Sequence, residues 1–161
     1  MDSSGATFHV VLIEPEIPPN TGNIGRLCAA TGTHLHLVGK LGFSLEDKHL
    51  KRAGLDYWPH VHLHRWDNFA QLQHAYPAGR WWFTSTKAAH SYTKASFERG
   101  DFVVFGKESA GIPKSILNAH ASEMRLRIPI LNPAVRSLNL ANSVGIVLYE
   151  ALRQVENTAE V

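Results

Sequence analysis

Short apolar runs alternate with stretches of helical periodicity along the whole chain. Phe8 to Ile13 predicts a strand, and the pattern then turns helical from about Asn20 to Thr31, stopping at Gly32. His34 to Val38 predicts a second strand. Ser44 with Asp47 resembles a capping box that opens a short basic helix. His60 to His64 predicts a third strand, and Asp67 is expected to cap a helix running to about Ala75. Trp81 to Ser85 and Asp101 to Phe105 predict further strands. Pro113 suits the first position of a short helix, Met124 to Ile128 predicts the last strand, and a final helix reaches about Val155. Strand and helix in alternation predict an α/β fold, with a mainly parallel sheet and helices on both faces.

The final helix carries more apolar surface than one sheet can cover. Ala141, Val144, Leu148, Ala151, Leu152 and Val155 form one stripe, while Leu140, Ile146, Val147 and Tyr149 lie largely off it. A helix apolar on most sides is buried on most sides. A homodimer through this helix is therefore expected.

With 161 residues the chain has the size of one domain, 1–161, with residues 1–7 a short polar tail and 156–161 a frayed end. Its 44% hydrophobic and 19% charged residues describe a soluble globule, and no apolar run approaches the roughly 20 residues of a membrane helix. The start lacks the basic and apolar segments of a signal peptide, so a cytoplasmic location and no membrane partner are expected. Cys28 is the single cysteine, which excludes an internal disulfide and a cysteine zinc site and suits a small core residue. The net charge of +2 neither demands nor excludes nucleic acid. Two local clusters, Lys48, Lys51 and Arg52, and then Lys87, Lys94 and Arg99, are either solvated faces or phosphate contacts.

Three segments carry candidate chemistry. In Pro18-Pro19-Asn20-Thr21-Gly22-Asn23-Ile24-Gly25-Arg26, the prolines fix an extended approach and Asn20 can accept from orphan amides at the helix start. Gly22 and Gly25 are poor helix formers, so something close to the backbone is expected there. Arg26 stands in the first turns, where the helix dipole does not favour a cation. In Phe105-Gly106-Lys107-Glu108-Ser109-Ala110-Gly111-Ile112-Pro113, the glycine spacing matches a P-loop, but Ile112 and Pro113 occupy the places of its lysine and hydroxyl. A P-loop nucleotidase is rejected, leaving a glycine-lined loop with one carboxylate, Glu108. Finally, Ile128-Pro129 is followed eight residues after the proline by Ser137-Leu138-Asn139-Leu140-Ala141-Asn142-Ser143, with Ser137 a candidate N-cap. Such a helix start at a strand's carboxyl end can tie loops together or bind a ligand. His60, His62 and His64 alternate on one strand face. No second ligand-bearing segment accompanies them, so a polar outward face is expected and no metal. Trp81-Trp82-Phe83 reads as a core strand.

Taken together, and in this order, the three segments resemble the SpoU branch of the SPOUT methyltransferases, S-adenosylmethionine-dependent RNA ribose methylases. The resemblance covers nearly the whole chain and implies a C-terminal trefoil knot. It implies cofactor-binding groups at Thr84, Gly106, Ile128 and Ser137, with Leu138 and Asn139 alongside. It also implies that Arg26 acts on the ribose 2′-hydroxyl, while Asn20 and Glu108 shape the pocket or meet the RNA. The stretches Glu14 to Asn23 and Lys51 to Tyr57 are similar to the small bacterial members that methylate the wobble nucleotide, cytidine or 5-modified uridine, of leucine tRNAs. The implied partner is tRNA and the implied cofactor S-adenosylmethionine. Another tRNA position, ribosomal RNA, or a non-catalytic RNA-binding protein with this fold are the alternatives.

Overall fold

A computed structural model describes residues 5–54 and 56–156. Its seven strands are β1 (His9–Ile13), β2 (His34–Val38), β3 (Leu63–Trp66), β4 (Trp81–Thr84), β5 (His90–Ser91), β6 (Phe102–Phe105) and β7 (Arg125–Arg127). They form one sheet in the order β3-β2-β1-β6-β4-β7-β5, and every pairing is parallel. From β1 the chain moves one way to β2 and β3. From β6 it moves the other way to β7. The reversal places a topological switch point between β1 and β6, where ligands of open α/β sheets bind beyond the carboxyl ends.

Alternation along the buried strands feeds two cores. Phe8, Val10 and Leu12 pack with Ile24 and Cys28 of α1 (Pro18–Thr31) and with Val144 and Leu148 of α5 (Leu140–Val155). Val11 and Ile13 pack on the other face with Phe69 and Leu72 of α3 (Phe69–Ala75) and with Ile116 and Leu117 of α4 (Lys114–Leu117). Helices thus cover both faces, and β1 is buried throughout, as a central parallel strand must be. Burial of Cys28 pushes its thiol pKa up, so it serves as packing. Trp82 and Phe83 are buried, and Trp81 stacks on Phe102 at 4.1 Å.

Several element starts differ from the sequence expectation. Helix α1 begins at Pro18 with Ile17 in the N-cap place, so Asn20 lies inside the helix and does not cap it. Gly32 closes it in the left-handed conformation at φ 66°. Ahead of α2 (Lys48–Gly54), Ser44 Oγ accepts from the Glu46 amide at 3.1 Å and Asp47 Oδ1 from the His49 amide at 2.7 Å. These are two successive local turns in place of a capping box. Asn68, and not Asp67, caps α3. Its Oδ1 accepts from the Gln71 amide at 2.8 Å, while the Asp67 amide donates to Gln71 Oε1 at 2.7 Å. Strand β5, two residues long, is too short to leave a periodicity in the sequence. Of the expected polar tail, residues 1–4 lie outside the described residues, whereas Ala6 and Thr7 are buried and the Thr7 amide donates to Gly32 O at 3.0 Å. The expected frayed end falls, beyond Glu156, outside the described residues.

The third strand is the largest correction. It begins only at Leu63, because Trp58–His60 forms a 3-10 turn. His60 therefore leaves the strand; it and His62 are exposed as expected, whereas His64 is half-buried among other imidazoles. The register pairs His9 with His34 and His36 with His64, which lays imidazoles from three strands side by side. His36 and His64 stack at 4.6 Å, His34 and His62 at 4.7 Å. Trp66 Nε1–H donates to His36 Nδ1 at 2.9 Å, which leaves the His36 proton on Nε2 to be donated to His9 Nδ1 at 2.8 Å. Burial and neighbouring imidazoles pull His9 down to about 3 and His36 to about 2, so both are neutral.

Candidate active site

The start of α1 is capped from another part of the chain. Glu108, in the loop after β6, accepts from the Glu16 amide through Oε1 at 2.8 Å. Its Oε2 accepts from the Ile17 amide at 3.0 Å and from Asn20 Nδ2 at 3.1 Å. A carboxylate suits this place because orphan amides and the positive end of the dipole meet there. In return Glu16 Oε1 accepts from the Ser109 amide at 2.9 Å and its hydroxyl at 2.6 Å. Those donors hold the Glu16 carboxyl below the usual range. Two loops are thus joined across the switch point.

The relay continues into α5. Asn139 Nδ2 donates to Asn20 Oδ1 at 3.0 Å, and Asn139 Oδ1 accepts from the Asn142 amide at 3.1 Å. Asn139 is therefore the N-cap of α5, and the expected cap Ser137 lies exposed two residues upstream. Glu108, Asn20 and Asn139, one from each candidate segment, form a single hydrogen-bonded chain.

The glycines answer to the protein's own packing. A Cβ at Gly106 would fall inside the Gly111–Ile112 peptide, and Gly111, at φ +73°, returns its amide to Lys107 O at 2.8 Å. The glycine-lined loop is thus closed on itself, with Gly106 packed against the Gly111–Ile112 backbone. At Gly25 a Cβ would come within 2.7 Å of the Trp58 ring. The close approach expected on α1 is that of an indole.

Thr84, Gly106 and Ile128 stand at the same end of the adjacent strands β4, β6 and β7, as the pairings Phe83–Val104 and Thr84–Leu126 require. Thr84 Oγ1 donates to Val104 O at 2.9 Å. A groove of about 800 Å³ runs between α1 and α5, lined among others by Asn20, Asn23, Leu27, Leu138, Asn139 and Ile146. Thr84, Gly106, Ile128, Ser137 and Arg26 lie outside that lining. Arg26 is exposed on α1 and stands apart from the relay. Its guanidinium lies 4.6 Å from the Tyr57 ring centroid, and Nη2 donates to Tyr57 Oη at 3.4 Å. Among the basic clusters, Lys51 pairs with Glu46 and Arg99 with Glu156.

The sequence profile described as the SpoU rRNA Methylase family matches residues 7–149. The chain belongs to that family. A relative from Methylovorus glucosotrophus (strain SIP3-4), described as a tRNA (cytidine(34)-2'-O)-methyltransferase, is 50% identical over 147 residues, 91% of this chain and 95% of the relative. A solved structure described as giving insight into the 2-OH methylation of C/U34 on tRNA has a TM-score of 0.86 at 47% identity, covering 91% of this chain and 95% of that one. The fold also matches an AdoMet-bound rRNA methyltransferase from Sinorhizobium meliloti at TM-score 0.85 and 24% identity, over 97% of this chain and 59% of that one.

In this SpoU-family chain Glu16, Ser109 and Tyr57 lie within stretches that the sequence reading quoted, but it gave them no role of their own. Each lies next to a residue already singled out, but nothing local marks it, because its partner is supplied by a distant segment.

Proposed function

We propose that the chain transfers a methyl group from S-adenosylmethionine to the ribose 2′-hydroxyl of the wobble nucleotide, cytidine or 5-modified uridine, of leucine tRNAs. The observation that carries the reading is the Glu108–Asn20–Asn139 chain, which ties all three candidate segments into one unit at the sheet's carboxyl end. The similarity to wobble methyltransferases over nearly the full length supports the same activity.

The donor set fits the cofactor. Three neighbouring strands end together near Thr84, Gly106 and Ile128, and Leu138 offers an exposed apolar side chain beside Asn139. These residues with Ser137 would hold S-adenosylmethionine, which supplies an electrophilic methyl group when bound. The polypeptide's own task is alignment and charge. In-line displacement gains most from holding the acceptor in place. A guanidinium with a pKa above about 12 is a poor base, so Arg26 orients the hydroxyl and stabilises the charge left as its proton departs. Asn20 and Glu108 act by fixing the walls around it.

The proposal includes a C-terminal trefoil knot formed as α5 returns to the sheet, a single domain, a cytoplasmic location where tRNA is found, and a homodimer. Among the described residues no helix is long and apolar enough to cross a membrane. Ile146 and Tyr149 lie 37% and 53% exposed on α5, an apolar pair that a second copy of the chain would cover.

Incubation of bulk RNA with isotopically labelled S-adenosylmethionine, followed by mass spectrometry of nuclease fragments, tests the reading. Label on the wobble ribose of leucine tRNAs is expected. Label in ribosomal RNA alone overturns the tRNA assignment, and absence of cofactor binding by calorimetry would make the chain a non-catalytic RNA binder.

A further inference from the structure

Arg26 is held by an aromatic ring, and among the described residues no carboxylate pairs with it. The difference has chemical consequences. A carboxylate would bind the guanidinium in a bidentate pair and neutralise the charge it needs at the substrate. A ring face restricts the guanidinium while leaving its charge and most of its donors free.

The ring is itself well placed. Consecutive residues 57 and 58 meet consecutive residues 25 and 26 of α1. The Trp58 indole fills the space that a side chain at position 25 would take, and Tyr57 lies beside Arg26. The Tyr57 carbonyl accepts from the His60 amide at 2.8 Å, so the 3-10 turn that follows anchors its backbone. Gly25 and Tyr57 thus belong to one arrangement: the glycine admits the tryptophan, and the tryptophan sets the tyrosine. With Tyr57 still 38% exposed, this contact lies at the surface, where RNA can reach the guanidinium.

Resting on the reading that Arg26 acts on the ribose hydroxyl, we propose that Tyr57 is its positioning residue, holding the guanidinium by its ring face while leaving its charge available to the RNA. Tyr57→Leu removes the ring, and Tyr57→Phe keeps it and removes the hydroxyl. At saturating RNA and S-adenosylmethionine, Tyr57→Leu is expected to lower kcat by roughly tenfold or more, since small misplacements of a catalytic group are costly. Its cofactor Kd and thermal midpoint should stay at the parent values, and Tyr57→Phe should restore most of the rate. Should Tyr57→Leu fold poorly, Tyr57→Met replaces it as the ring-free variant.

Parent kcat in the ring-free variant or equal loss in Tyr57→Phe would each overturn the proposal. The contact is also read without turnover. The Arg26 Nε–H resonance should carry a ring-current shift in the parent protein that disappears in Tyr57→Leu. An unshifted resonance overturns the positioning role. A shifted resonance in a protein that methylates no RNA overturns the proposed function instead, and with it any role of the contact in methyl transfer.

Discussion

Replacing Glu108 by alanine removes the acceptor for the Glu16 and Ile17 amides and for the Asn20 side chain. Leaving partly buried donors unpaired costs about 1–3 kcal/mol, so Glu108→Ala should lower the unfolding free energy obtained from urea titration by that amount, with Glu108→Gln in between. Arg26→Ala behaves in the opposite way. The Arg26 side chain is exposed and rests on the Tyr57 ring, so stability and S-adenosylmethionine affinity should persist while methyl transfer is abolished; calorimetry alongside a transfer assay checks this, and near-normal turnover would refute the role. Sequence reading named Asn20, Glu108 and Asn139, but Asn20 as a helix cap, Glu108 as the one carboxylate of its loop and Asn139 as a neighbour of the cofactor. That they partner one another was out of reach, because 88 residues separate Glu108 from Asn20 and 119 separate Asn139 from Asn20.

Strands β1, β2 and β3 together create a property that none has alone. His9 and His36 are buried and neutral, with folded pKa values of about 3 and about 2 against 6.5 unfolded. Below pH 6.5 the unfolded chain takes up protons that the folded chain refuses, so stability is full above that pH and is lost as the solution is acidified. Each of these two groups contributes a slope approaching about 1.4 kcal/mol per pH unit across that window. Urea unfolding between pH 7.5 and 4.5 should show it, and His9→Leu should make the dependence shallower; an equally steep profile in that variant would place the acid sensitivity elsewhere. The alternating histidines were visible in the sequence, but their facing was not. A 3-10 turn removed His60 from the strand, and parallel register brought His34 and His36 against His62 and His64. The α5 start moved for a similar reason, since Asn139 caps the helix while also reaching Asn20.

At the scale of the molecule, the exposed Ile146 and Tyr149 predict a homodimer. Light scattering at micromolar concentration should give twice the chain mass, and Tyr149→Glu should shift it toward the monomer. A clean monomer mass in the parent protein rejects the interface. RNA held by modest basic surfaces pooled over two copies should bind with strong salt dependence, losing more than about tenfold in affinity between 50 and 200 mM salt by fluorescence anisotropy.

Local chemistry read from the sequence determined the alternation of strands and helices, the apolar content of α5 and the order of the three polar segments. These depend on neighbours within a few residues, through periodicity and the conformational limits of glycine and proline. The tertiary structure alone decided which segments meet. Glu108 reaches α1 because β6 inserts beside β1, Gly106 is required by a peptide five residues later, and Arg26 rests on Tyr57 because Trp58 fits Gly25. Such contacts are set by sheet order and by side-chain volume across the fold, and neither leaves a period in the chain.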